Sequence, residues 1–201
     1  MTNLRRNGQP SSHTIRFHDF LKEDPRYLVF LMAFNDSHLH GDIKSNPRAE
    51  LCWQMPTTRE IFNLTGRFYI IASPLKITRF PAPKVDDSST VPALQYWESQ
   101  RCAVWTSLTS QTRASFSWPP SGEALQPDQE RAMKMDVMLG SSAKADTKEQ
   151  IVHNVALDNF CLLAFKVGGM TRFEYGQFPP KRMVFTLDEK TQEWHIAETN
   201  P

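Results

Sequence analysis

A histidine beside a carboxylate is the pairing in this chain with the widest chemical scope. His18 and Asp19 are adjacent, and His13 lies five residues before His18. An imidazole next to a carboxylate can titrate near pH 7, which suits it to moving a proton in general acid–base catalysis. Ser37 and Asn63 carry groups that can orient an oxygen. His38 and His40 stand two apart, a spacing that on a helix turns them to different sides, so no metal site is expected from them. Cys52, Cys102 and Cys161 form no CxxC pair and are odd in number, which fits neither a disulfide framework nor a zinc site. Each has apolar or aromatic neighbours and reads as a small buried hydrophobe. Trp97, Trp105, Phe116 and Trp118 could stack on a planar ligand, but such rings are more often core or interface residues. Arg101 and Arg113 suit a structural ion pair as well as a ligand contact.

These residues sit in a chain of 201, enough for one domain or at most two, with 40% apolar residues to build a core. The 23 basic and 22 acidic side chains leave a formal charge of +1. That balance gives no footprint for nucleic acid or an anionic membrane. No apolar run approaches the ~20 residues of a membrane span, and the first residues lack a signal-peptide stretch. A cytoplasmic protein is expected.

The elements that must position the candidate residues are mostly strands. Asn7-Gly8 marks a turn. Residues 14–17 alternate apolar with polar, and Tyr27 to Met32 is a continuous apolar run that fits a strand buried on both faces. A short helix is expected near His38 to Ser45, stopped by Asn46-Pro47. Further strands are expected at 49–55, 59–64, 67–72, 158–165, 172–175, 182–186 and 193–197, with Gly66 marking a bend. Residues 96–116 have helical spacing. Two irregular stretches interrupt this pattern, a Pro-rich exposed loop at about 74–92 and a polar excursion at about 123–155, partly helical from 127 to 139. A single domain spanning 1–201 is expected, with the strands forming a closed or nearly closed antiparallel barrel.

Four stretches, in order, resemble one subfamily of the FMN-binding proteins related to pyridoxamine 5′-phosphate oxidase. They are Asn46-Pro47-Arg48-Ala49-Glu50-Leu51-Cys52-Trp53 with Thr58-Arg59-Glu60; Arg101 and Trp105 through Arg113 to Trp118-Pro119 and Gly122; Asn159-Phe160-Cys161-Leu162-Leu163; and Arg182 through Trp194 to Asn200-Pro201. The resemblance implies a mainly β fold with some α, a split β-barrel of antiparallel Greek-key type plus a few helices. It also implies a homodimer, FMN as cofactor and oxidoreductase activity on a small molecule. It assigns cofactor contacts to Ser37, His38, Asn63 and Arg182. Against the family pattern the sequence starts at the first hairpin, without the helix that usually precedes it.

The departures from the pattern are chemical. The two basic phosphate ligands of relatives correspond to His13 and His18, a lysine corresponds to Leu39, and the glutamine and arginine of Glu-Gln-x-Arg correspond to Ile61 and Asn63. Arginine and lysine hold phosphate by charge-assisted bonds worth ~1.5–3 kcal/mol each. A neutral histidine offers one hydrogen bond and no charge. With Phe34, the residues Leu39 and Ile61 would make the pocket apolar. Three functions follow as expectations: a flavin-dependent oxidoreductase; a cofactor-free isomerase, dehydratase or cyclase using His18, Asp19 and His13; and a non-catalytic ligand-binding dimer.

Overall fold

The computed structural model describes the chain except residues 77, 87, 88, 135–137 and 143–146, together with the side chains of 131, 132, 134 and 147–149. Parts of the loop at 74–92 and of the excursion at 123–155 therefore lie outside the described residues. Among the described residues, nine strands form one antiparallel sheet. They are β1 (Thr2–Leu4), β2 (Pro10–Ser12), β3 (Arg16–Phe20), β4 (Tyr27–Ala33), β5 (Arg48–Met55), β6 (Glu60–Ile71), β7 (Phe160–Glu174), β8 (Lys181–Leu187) and β9 (Trp194–Thr199). The helices are α1 (Ser37–Ser45), α2 (Ala93–Ser107), α3 (Ser110–Ser115), α4 (Pro127–Lys134) and α5 (Thr147–Asn159). The strand order is β2-β1-β5-β6-β7-β4-β3, with β8 added to the far half of β7 and β9 to β8.

The apolar run of β4 divides by parity. Tyr27, Val29 and Leu31 belong to a core that also takes in Trp97 and Trp105 of α2 and Ala114 of α3. Leu28, Phe30 and Met32 belong to the barrel interior, with Leu39 and Ile43 of α1. β7 divides in the same way, Leu162 and Ala164 outward, Leu163 and Phe165 inward. β4 and the first six residues of β7, Phe160 to Phe165, are covered on both faces, which is why they carry no charged residue, whereas the far half of β7 is only partly buried and includes Thr171, Arg172 and Glu174. The barrel is incomplete in hydrogen bonds, since among the described residues β3 pairs only with β4 and β5 only with β1 and β6. Aromatic side chains bridge that seam: the Phe17 and Trp53 ring centroids are 4.7 Å apart, and Phe20 stacks on Trp53 at 6.2 Å.

Several expectations are corrected. Residues 59–64 and 67–72 are one strand, β6, bulged between Thr65 and Gly66. At Gly66 a Cβ would press into the Lys166 carbonyl oxygen and come within 2.7 Å of the Phe165 ring, so only glycine fits. Strands 158–165 and 172–175 are likewise one, β7, which runs on through Gly168-Gly169. Asp158 and Asn159 belong to α5, a helix that begins within the stretch expected to be an irregular excursion and runs past its end. The strand expected at 14–17 is shifted to β3, Arg16–Phe20. Cys161 is buried, and burial pushes its thiol up to about 12. Cys52 and Cys102 are exposed, one on an outward position of β5 and one on the open side of α2.

Candidate functional site

The first group of candidate residues gathers around α1. Asp36 caps the helix by accepting the Leu39 amide proton at 3.0 Å. Leu39 and Ile43, four apart, face into the barrel and are 5% and 1% exposed. Leu39 is therefore a core residue rather than pocket lining, because its place in the heptad-like spacing with Ile43 turns it inward. Ser37 and His38 are exposed on the first turn. The His38 ring lies against the loop after α3, so close that a Cβ at Gly122 would stand 3.0 Å from it. Asn35 donates to the Trp118 carbonyl of the same loop at 3.1 Å. His40 is half-buried beside Phe34 at 4.6 Å between ring centroids, and burial followed by Lys44 lowers its pKa. Phe34 also takes the Lys76 ammonium at 5.1 Å, so it serves as a contact between elements rather than a pocket wall.

His13 is paired, but with a partner far along the chain. Its Nε2 lies 2.9 Å from Oδ2 of Asp42 on α1 and 3.0 Å from the Ser11 hydroxyl. Both side chains of the pair are about 15% exposed, at 16% and 15%. Burial pushes the Asp42 carboxyl up, but hydrogen bonds from Ser11 and His13, with the charges of His13 and Arg5, hold it below the usual carboxylate value. The sequence offered no signal for Asp42, since the contact exists only once the β1–β2 hairpin folds against α1. His18 occupies the β3 bulge between Phe17 and Asp19 and is half-buried. Asp19 accepts the Phe20 amide proton at 2.8 Å. No hydrogen bond joins His18 to Asp19 among the described residues.

The second group lies at the other end of the sheet. Ile61, Phe173 and Arg182 are register partners across β6, β7 and β8, and Asn63, Thr171 and Val184 form the next such row on the same face. Asn63 and Arg182 line one polar hollow of about 420 Å³ that also holds Glu50, Thr65 and Thr199. The Arg182 guanidinium stands 5.8 Å from the Phe173 ring centre and has no carboxylate partner among the described residues. Phe160 pairs with Ala33 just before α1, while Phe173 pairs with Arg182. At the ordinary rise per residue the two groups stand ~40 Å apart along β7. One chain alone does not bring Ser37 and His38 to Asn63 and Arg182.

Arg101 and Arg113 belong to the scaffold. Arg101, 4% exposed, forks onto Glu98 at 2.8 Å twice and donates to the Leu157 and Phe160 carbonyls. Arg113 donates to the carbonyls of Trp105, Thr106 and Leu108 at the end of α2 and to Leu139. Trp97, Trp105 and Phe116 are buried core residues, whereas Trp118 is 44% exposed. A feature invisible in the sequence is a hollow of about 610 Å³ in the unfilled half of the barrel, between the β3–β5 seam and β8.

The residues present do not fit the phosphate end of FMN. At the positions where relatives place cations, His13 faces the Asp42 carboxylate, which would repel a phosphate, and Leu39 is sealed in the core. The hollow around Asn63 and Arg182 is polar and open, and suits the hydrogen-bonding edge of a planar ring.

No family profile and no curated protein matches the sequence. Solved structures do. A pyridoxamine 5′-phosphate oxidase-related, FMN-binding protein from Nostoc punctiforme PCC 73102 superposes with a TM-score of 0.73 at 25% identity, over 100% of this chain and 86% of that one. PhzG from Burkholderia lata 383, solved with tetrahydrophenazine-1-carboxylic acid, gives a TM-score of 0.66 at 13% identity, over 100% of this chain and 80% of that one. No helix among the described residues is long and apolar enough to cross a membrane.

Proposed function

We propose, from the premise that this chain has the fold of the pyridoxamine 5′-phosphate oxidase-related FMN-binding split barrels, that it is a homodimeric small-molecule enzyme. Its two sites lie between subunits, and it acts as a flavin-dependent oxidoreductase. The observation that supports this reading is the division of the candidate residues into two groups at opposite ends of β7. A two-fold partner makes each patch face the other twice, so Ser37 and His38 of one subunit would meet Asn63 and Arg182 of the other. Full-length likeness to an FMN-binding protein supplies the ligand class.

The flavin is held by its ring and sugar rather than by its phosphate. Three missing cations remove ~1.5–3 kcal/mol apiece, together a factor of about a thousand or more in affinity. The expected result is that FMN and riboflavin bind within ~10-fold of each other at micromolar strength. Titrating each into the protein and following flavin fluorescence tests this. Silence from both at ~100 µM would sink the flavin reading. FMN binding far more tightly than riboflavin would sink only its phosphate-free form.

One observation favours a second reading, the 2.9 Å contact of His13 with Asp42. A carboxylate against one ring nitrogen fixes the imidazole's tautomer and orientation, which is the arrangement of a general base. In a cofactor-free isomerase, dehydratase or cyclase, His13 would carry the proton, and His18 is the alternative carrier. General acid–base help of this kind is worth ~10²–10⁴-fold. The discriminating measurement is turnover in flavin-free protein: activity there that falls on His13→Ala supports this reading, and activity that tracks flavin occupancy removes it.

A further inference from the structure

We propose that the open half of the barrel interior is a binding site for an uncharged, largely hydrocarbon small molecule, distinct from the groove between subunits. The barrel is filled at only one end. Near α1 the side chains of Phe30, Leu39, Ile43, Phe68 and Phe165 close the interior. Beyond Leu64 and Val167 the packing stops, and a hollow of about 610 Å³ extends towards Met55, Phe62 and Phe185. That volume far exceeds the water-sized voids a packed interior tolerates and falls within the range of small-molecule sites.

The walls select the ligand's chemistry. Strand parity turns the outward-facing polar residues of β6 and β7, Asn63 and Thr171 among them, to the opposite face. Among the described residues, Arg26 is the one charged residue that lines the hollow, and Glu60, Arg172 and Glu174, on the same face just beyond Phe62 and Met170, pair with one another. The Arg26 guanidinium is already engaged, donating from Nε and Nη2 to Asp24 at 2.9 and 2.8 Å and from Nη1 to Gln192 at 3.1 Å. No free charge remains to hold an ionised ligand, and desolvating one would be uncompensated.

The seam supplies an entrance. β3 and β5 share no ladder among the described residues, and the ring contacts of Phe17 and Phe20 with Trp53 close the wall there. Phe20 is 45% exposed at this edge. Rotating these rings opens a path without breaking a backbone hydrogen bond. The hollow is walled by strands on several sides, a shape that takes a compact molecule rather than a flat protein surface.

The test uses the full chain and a neutral dye, N-phenyl-1-naphthylamine. The expected result is saturable binding of one dye per chain, with enhanced, blue-shifted emission and energy transfer from Trp53 and Trp194. Leu64→Trp, which fills the hollow, should weaken binding at least ~10-fold, and Met55→Trp on the rim does the same should the first variant fold poorly. The anionic analogue 8-anilinonaphthalene-1-sulfonate should bind at least ~10-fold more weakly. Riboflavin should not displace the dye. Absence of saturable binding, undiminished binding by both folded variants, or displacement by riboflavin overturns the proposal. So does occupancy that falls as protein concentration rises, since a second copy would then cover the hollow. Equal binding of the anionic dye overturns the claim that the ligand is uncharged. Riboflavin binding elsewhere, or not at all, leaves this result intact, so the two sites fail separately.

Discussion

The pairing of His13 with Asp42 spans 29 positions of sequence and replaces the adjacent pair His18–Asp19 as the best-formed imidazole–carboxylate contact. Its electrostatics carry a consequence for stability. The folded chain holds the Asp42 carboxyl below its usual value of 3.8, because the bonds from Ser11 and His13 outweigh burial. A carboxyl whose pKa is lowered by folding stabilises the fold above its unfolded pKa, and that contribution is lost as pH falls through the folded pKa. Asp42→Asn should therefore cost about 1–2 kcal/mol near neutral pH, and the two proteins should converge in stability as pH drops below the ordinary carboxylate range. Urea unfolding of both at pH 7 and at successively lower pH measures this. A gap that persists into the acid range would show that Asp42 acts through packing rather than charge.

At the scale of elements, Arg113 holds the turn between α2 and α3. The last carbonyls of a helix have no internal partners, and the Arg113 guanidinium supplies them at Trp105, Thr106 and Leu108, while its Nε reaches Leu139 at 2.8 Å. Arg113→Ala leaves these buried acceptors unpaired and should cost about 3–5 kcal/mol. Arg113→Lys should recover only part, since an ammonium cannot reach both directions as a planar fork does. Thermal unfolding reads both, and a loss under ~1 kcal/mol for the alanine variant would mean that water replaces the guanidinium. The strands and α1 were legible in the sequence because β4 and β5 carry sharp apolar or alternating patterns and Asn46-Pro47 stops the helix. α5 was not, because Ile151 and Val155 are apolar yet exposed and blur its buried stripe of His153 and Ala156. Residues 166–171, with Gly168-Gly169, carry no strand pattern of their own, although extended backbone passes through them. Of the candidate site, Asn63 and Arg182 do share a face, but Asp42 and the barrel hollow arise from contacts between elements that no local pattern encodes.

On the proposed function, Ser37 and His38 would serve the same ligand as Asn63 and Arg182, although a single chain holds them ~40 Å apart along β7. The proposed homodimer would resolve this, and it makes a quantitative demand. Arg182→Glu should abolish flavin binding by placing a carboxylate in the polar hollow. A change on the other group, Ser37→Trp, should abolish it by filling the exposed first turn of α1 with bulk. If each site draws one group from each subunit, unfolding and refolding the two variants together gives half heterodimers, and each heterodimer carries one wholly native site and one doubly altered site. Flavin binding should then return to about a quarter of the native capacity, and the refolded protein should scatter light as a dimer of the 23.1 kDa chain. The same mixture yields nothing if each subunit builds its own site, because every chain then carries one defect. Recovery of binding thus separates a shared site from two private ones, independently of how tightly the flavin is held.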